Sequence, residues 1–291
     1  MLSSSFQHMQ HTSYRIIVFS ALCIGAASGQ QHQHFPTPHS EEGWLAEWEH
    51  RHMSSRGTPY IHAFSVEPAY LGRELIVDYL TTEFDGETEQ AVEAELEWAL
   101  TNRLGMTVAL PFRALDGAAG RSSGLGDFGI APRMLLIDND RFLLSAQIEL
   151  ELPTGREEVG ANETAIGPSM LMWLDLGNWC TLQAQVGTEH DLNSDEAELA
   201  YACALGWSFR TTQDVGHNLH HAEPGLINLS AELTGRTGIS GSDDGRTTTE
   251  VLLGVSYTIS NFTTVRAGYQ FPVGGPEGID HALIISVVLS F

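Results

Sequence analysis

His281-Ala-Leu-Ile-Ile-Ser-Val-Val-Leu-Ser-Phe291 decides the fold. Counting back from Phe291, Leu289, Val287, Ile285 and Leu283 are large and apolar at every second position, while Ser290, Val288, Ser286 and Ile284 take the other parity. Strand side chains alternate faces with period two, so one face is continuously apolar and the other small or mixed. Such a strand at a chain end frays and invites aggregation unless both edges are paired. The pattern predicts a sheet closed into a barrel; the competing reading is an ordinary sandwich strand that happens to finish the chain.

Working outward, the same alternation recurs. Val265, Ala267, Tyr269 and Phe271 oppose Arg266, Gly268 and Gln270, and Val251, Leu253, Val255, Tyr257 and Ile259 oppose Gly254, Ser256 and Thr258. Val92, Ala94, Leu96, Trp98 and Leu100 oppose Glu93, Glu95 and Glu97; a helix would split those glutamates between faces, so strand is the better reading. The runs predict about twelve strands, roughly 71–84, 89–100, 104–112, 125–137, 141–153, 165–176, 179–190, 197–210, 226–237, 247–259, 262–272 and 281–291. Each has about the 9–11 residues that a tilted strand needs to cross a bilayer core.

The connections add independent information. Thr101–Arg103, Asp138–Asp140, Gly177–Asn178 and Ser260–Asn261 read as tight turns, whereas Arg113–Gly124, Thr154–Thr164, Ile239–Arg246 and Gly274–Asp280 are longer. Short and long alternate as in barrels with small periplasmic turns and larger outer loops, although the connection at Asp85-Gly86 is short and Thr211–Pro224 is long. The expected fold is all-β, a single antiparallel up-and-down transmembrane β-barrel over 70–291 with both termini periplasmic. The last strand, with its terminal Phe, resembles the closing strand of bacterial outer-membrane barrels. That resemblance implies an assembly signal at Leu283, Ile285, Val287, Leu289 and Phe291, read by the barrel-assembly machinery.

The front of the chain is different. Arg15 precedes the apolar run Ile16–Gly25, and Ala27-Ser-Gly29 offers small residues for cleavage, so 1–29 is expected to be a signal peptide. Cys23 as a lipidated cysteine is disfavoured by the bulky Leu22 before it. Residues 30–69 are polar, rich in histidine and broken by Pro36, Pro38 and Pro59, with a short helix possible at 41–50; they are expected to be a mostly irregular segment outside the barrel wall. His32, His34, His39, His50, His52 and His62 there, with His217, His220 and His221 in a connection on the same side, form the candidate set for a weakly held divalent transition metal. A solvated polar linker is the plainer alternative.

Fourteen Lys+Arg against 37 Asp+Glu give a formal charge of −23, which excludes nucleic acid as a partner because phosphate neutralisation needs clustered bases. If the large apolar side chains face outer-membrane lipid, the opposite parity lines the lumen. It carries Glu93, Glu95, Glu97, Asp127, Glu149, Glu151, Asp175, Glu198 and Glu232 against Arg133, Arg210, Arg236 and Arg266, so any conductance is expected to prefer cations. Cys180 and Cys203 fall on neighbouring strands about three residues out of register for a bridge, and free thiols are expected.

No catalytic group or cofactor is expected. Gly124-Leu-Gly-Asp-Phe-Gly129 matches a dinucleotide fingerprint but leads into a strand, where that fingerprint must open a helix. His190 and His281, at outer strand ends, sit in no nucleophile motif.

Four short motifs, Glu95-Leu-Glu-Trp98 before Thr101-Asn-Arg-Leu104, Gly124-Leu-Gly-Asp127 and Leu152-Pro-Thr-Gly155, resemble the outer-membrane family named for the MetA pathway of phenol degradation. The resemblance covers about 70–291; the histidine-rich front departs from it. It implies a barrel with a transport role for small solutes and offers no catalytic residues. A barrel whose lumen is plugged by side chains, serving as scaffold, adhesin or metal collector, is the alternative.

The folded protein is accordingly expected to migrate differently from the boiled protein on a gel. Phe291→Ser is expected to lower the yield of the folded form far more than a substitution of Ser242 in an outer loop; equal yields would remove the assigned role of Phe291.

Overall fold

The computed structural model describes residues 52–54, 56–84, 86–117, 120–159, 164–210, 224–275 and 278–291. Among the described residues thirteen strands run β1 (Arg73–Phe84), β2 (Glu87–Ala99), β3 (Leu104–Gly117), β4 (Gly120–Leu125), β5 (Phe128–Asp138), β6 (Phe142–Leu152), β7 (Ala165–Gly177), β8 (Cys180–Asp191), β9 (Ala197–Arg210), β10 (Leu226–Ser240), β11 (Thr247–Ser260), β12 (Thr263–Gly274) and β13 (His281–Ser290). Each pairs antiparallel with its chain neighbour, β3 skips β4 to pair with β5, and β1 pairs with β13. Twelve strands therefore form a closed ring. No helix among the described residues is long and apolar enough to cross a membrane.

Polarity is inverted relative to a water-soluble core. Leu253, Ile285, Leu205, Trp207 and Tyr269 are exposed on the outside, whereas Gln183, Ser145, Thr181 and Gln185 are buried within. Both follow from parity: on β8, Thr181, Gln183 and Gln185 are buried while Leu182 and Ala184 between them face out. Cys180 and Cys203 are free, as expected.

One predicted connection differs. Within the stretch expected as a loop at 113–124, β3 continues to Gly117 and β4 returns beside it from Gly120, pairing Phe112 with Leu125 and Gly117 with Gly120. The alternation gave no sign of β4 because Arg121, Ser122 and Ser123 offer no apolar face. The helix considered at 41–50 lies outside the described residues.

The two ends of the barrel differ. Arg73 and Ser290 share one end, here called the terminal end, with the tight turns after β2, β5, β7 and β11. From it a segment of non-strand chain, residues 52–72, runs inside the ring. Its Met53, Ile61, Val66 and Ala69 are buried, and it touches inward-facing side chains of β1, β5, β6, β7, β8, β10 and β12, which are reachable together only from the lumen. Several wall positions are glycine where the segment comes close, Gly105 beside Leu71 and Gly268 beside Phe64 among them. A Cβ on Gly206 would stand 1.9 Å from the Ile61 side chain, and one on Gly254 would stand 2.9 Å from the Phe64 ring.

Gly206→Leu is therefore expected to push the segment off the wall. Hydrogen exchange at the Phe64 and Ser65 amides should quicken by roughly ten- to a hundred-fold, equivalent to about 1–3 kcal/mol of overpacking. Unchanged exchange would mean that the segment is not seated against β9.

Candidate functional site

The lumen brings most of the predicted charged residues together. Glu93, Glu95 and Glu97 share one face of β2, and Glu87 and Glu89 continue the same parity, so carboxylates run along nearly the whole strand. Across β1, Asp78 stands opposite Glu93 and Glu74 opposite Glu97. Arg133 donates to Gln147 and Glu67, each at 2.7 Å, and approaches Glu97 at 3.5 Å. Arg236 bonds Glu198 and lies 4.0 Å from Glu189. Glu149 and Glu151 share the inward parity of the buried Ser145 and Gln147 on β6.

Several predicted groups serve other purposes than lining open space. Asp127 lies in the break between β4 and β5, where it accepts the Gly155 N–H at 2.8 Å. A Cβ on Gly155 would come 2.6 Å from the Gly126 carbonyl carbon. The motifs Gly124–Asp127 and Leu152–Gly155 are thus two sides of one close contact. Arg210 stacks at the terminal end over Trp179, 5.1 Å from its ring centre. Asp175 accepts the Ser54 and Thr58 hydroxyls, each at 2.9 Å, and so holds the turn closed by the Met53–Pro59 bridge.

The segment across the lumen is held largely by its backbone, whose polar groups have no sheet partner and must find others. Glu232 accepts the N–H groups of Phe64 at 3.1 Å and Ser65 at 2.7 Å. On the carbonyl side, Arg266 donates to Ala63 at 3.1 Å and His62 at 3.4 Å while its guanidinium lies 4.6 Å from the Phe64 ring centre. Gln183 donates to the Ile61 carbonyl, Ser145 to that of Ala69, and Gln185 accepts the Glu67 N–H. An apolar cluster of Ala69, Tyr70, Leu135, Leu143, Leu171 and Trp173 seals the junction with β5–β7.

Of the histidines considered for a metal, His52 and His62 are described; His32, His34, His39, His50, His217, His220 and His221 lie outside the described residues. Both described rings line one cavity of about 30 Å³ with Tyr60, Asn228 and Arg266. His62 bonds the Tyr70 hydroxyl at 3.1 Å and lies 3.2 Å from Glu74. At the opposite end, His190 bonds the Thr188 hydroxyl at 3.0 Å and His281 stands 3.7 Å from Glu83.

Several lumenal charges were missed. Glu87, Glu89, Glu189 and Glu250 follow from extending the parity of β2, β8 and β11 to the strand ends. Glu67 carries no such signal, because an irregular chain has no period to read.

Leu283, Ile285, Val287 and Leu289, the residues of β13 expected to carry the assembly signal, face outward, and the Phe291 N–H donates to the Arg73 carbonyl at 2.9 Å, with the Phe291 and Trp98 rings 6.3 Å apart. The C-terminal aromatic is thereby tied to the beginning of the first strand.

Solved structures of similar fold include the COG4313 outer membrane channel from Pseudomonas putida F1, at 16% identity and TM-score 0.60, covering 80% of this chain and all of that one. The NanC porin matches at 9% identity and TM-score 0.51, over 75% of this chain and all of its own. No curated protein matches the sequence. The profile of the family described as "Putative MetA-pathway of phenol degradation" matches residues 79–278. That span is more than half of the chain and takes in all four of the motifs quoted above, and the chain belongs to this family.

Proposed function

We propose that the protein is an outer-membrane channel for small solutes in a Gram-negative type envelope, with both termini periplasmic and a cation-preferring lumen closed in this conformation by residues 52–72. The observation that carries the reading is how the segment is fastened. Among the described residues, no strand pairing or disulfide joins it to the wall; its backbone is tied by individual hydrogen bonds to Glu232, Arg266, Gln183, Gln185 and Ser145. Because water competes for the same groups, each tie to Gln183, Gln185 or Ser145 has a net value of about 0.5–1.5 kcal/mol and each tie to the charged Glu232 or Arg266 about 1.5–3 kcal/mol, so the segment can leave and the ring remain.

Support for the location comes from the exposed apolar belt and from the tight turns gathered at the terminal end. Cation preference follows from the carboxylates of β2 and from Glu149, Glu151 and Glu189, which outnumber the guanidinium groups near them. One observation favours the other reading, a plugged scaffold or binding barrel. The apolar cluster around Trp173 is a buried joint of the kind found in permanent cores.

Single-channel recording in planar bilayers separates the two. The double variant Glu232→Ala, Arg266→Ala is expected to conduct more, or to open more often, than the parent, with a reversal potential favouring cations. Glu93→Lys with Glu149→Lys should weaken or invert that preference. A parent selective for anions would refute the lumenal assignment. Silence from both the parent and the loosened variant would establish the plugged barrel.

A further inference from the structure

Glu67, Glu95 and Glu97 meet where the lumenal segment passes β2, and one carboxylate oxygen of each lies within 4.8 Å of the others. Glu97 is 2% exposed, and neither of its carboxylate oxygens accepts a hydrogen bond from a described residue. Arg133 does not supply one. Its Nη2 is committed to Glu67 and its Nε to Gln147, which leaves Nη1 3.5 Å from Glu97. The nearby Glu74 has partners of its own in Ser290 at 2.9 Å and His62 at 3.2 Å.

Among the described residues Glu97 is thus a buried carboxylate with no donor on either oxygen, and Glu67 and Glu95 bring two further carboxylates to the same point. A buried carboxylate without a donor is costly, and it is relieved either by a proton or by a cation. The geometry favours the cation. Three oxygens within 4.8 Å of one another share a centre no farther than about 2.8 Å from any of them, so a small closing movement of the side chains brings all three to the calcium–oxygen distance of about 2.3–2.6 Å. The donor set is all oxygen, with no imidazole or thiolate, which selects a hard ion over zinc or copper.

We propose that Glu67, Glu95 and Glu97 bind a hard divalent cation of the calcium class, which staples the lumenal segment to β2. Two ligands come from the wall and one from the segment, so the ion binds the docked arrangement and stabilises it by mass action. The site stands whether or not the barrel conducts, and it is distinct from the histidine set considered for a transition metal.

The full chain, folded in detergent and stripped with EDTA, would be titrated with calcium by calorimetry and with terbium by luminescence excited through the aromatic residues. One site per chain is expected, with calcium displacing terbium. Glu97→Gln and Glu67→Gln should each weaken binding by about tenfold or more, since a charged ligand is lost. Asp243→Asn, at the opposite end, should leave it unchanged, and the heat-dependent gel shift verifies that each variant is folded. In the parent, calcium should also slow exchange of the Glu67 amide, which locates the ion without any substitution. Absence of stoichiometric calcium in the folded parent overturns the proposal. So does binding of zinc in its place, binding that both glutamine variants retain, or an infrared band of a protonated acid that Glu97→Gln removes and calcium does not.

Discussion

Ten residue pairs between β1 and β13, from Glu74 with Ser290 to Glu83 with His281, turn a sheet into a ring, and the rest of the structure depends on that seam. Hydrocarbon offers no water to an unpaired N–H or C=O, and each one left there costs several kcal/mol. An open sheet of these strands would present two such edges. Closing it removes both and leaves side chains as the sole means of adapting to surroundings. The outward parity becomes apolar, as at Leu253 and Ile285, and the inward parity becomes polar, as at Gln183 and Ser145.

A polar interior creates a second demand. The inward amides, hydroxyls and charges need partners, and the segment 52–72 brings backbone groups that need partners too. The two sets satisfy each other. Glu232 spends its charge on two N–H groups, Arg266 on two carbonyls and an aromatic face, and Asp175 on the two hydroxyls of a turn. Where contact is steric, the wall gives way: Ile61 and Phe64 lie against Gly206 and Gly254.

This division explains what could be read in the sequence. Strands were legible because lipid on one side and lumen on the other write opposite polarity onto alternate residues, so that Val255 and Ser256 declare themselves without a structure. The parity also put Glu93, Glu95, Glu97, Glu149 and Glu232 on the inner face. β4 was hidden because Arg121–Ser123 has no apolar side to alternate. The course of the segment was hidden for a deeper reason: Glu67 and Phe64 are placed by contacts with residues distant in the chain, such as Arg133 and Glu232, and no local period encodes those meetings. The lumenal acids counted from sequence as an excess of charge proved in part to be fastenings, a role set by what lies across the barrel.

The wall recognises the segment mostly through amides and carbonyls, which every residue except proline supplies in full. Side chains are decisive at few points, Ile61, Phe64 and Glu67 among them, and between those points the segment can change its residues without losing its hold. Drift in sequence and permanence in position are therefore compatible here. Two chains could share this arrangement while their corresponding segments look unrelated on paper, provided that the inward-facing Glu232, Arg266 and Gln183 stay where they are.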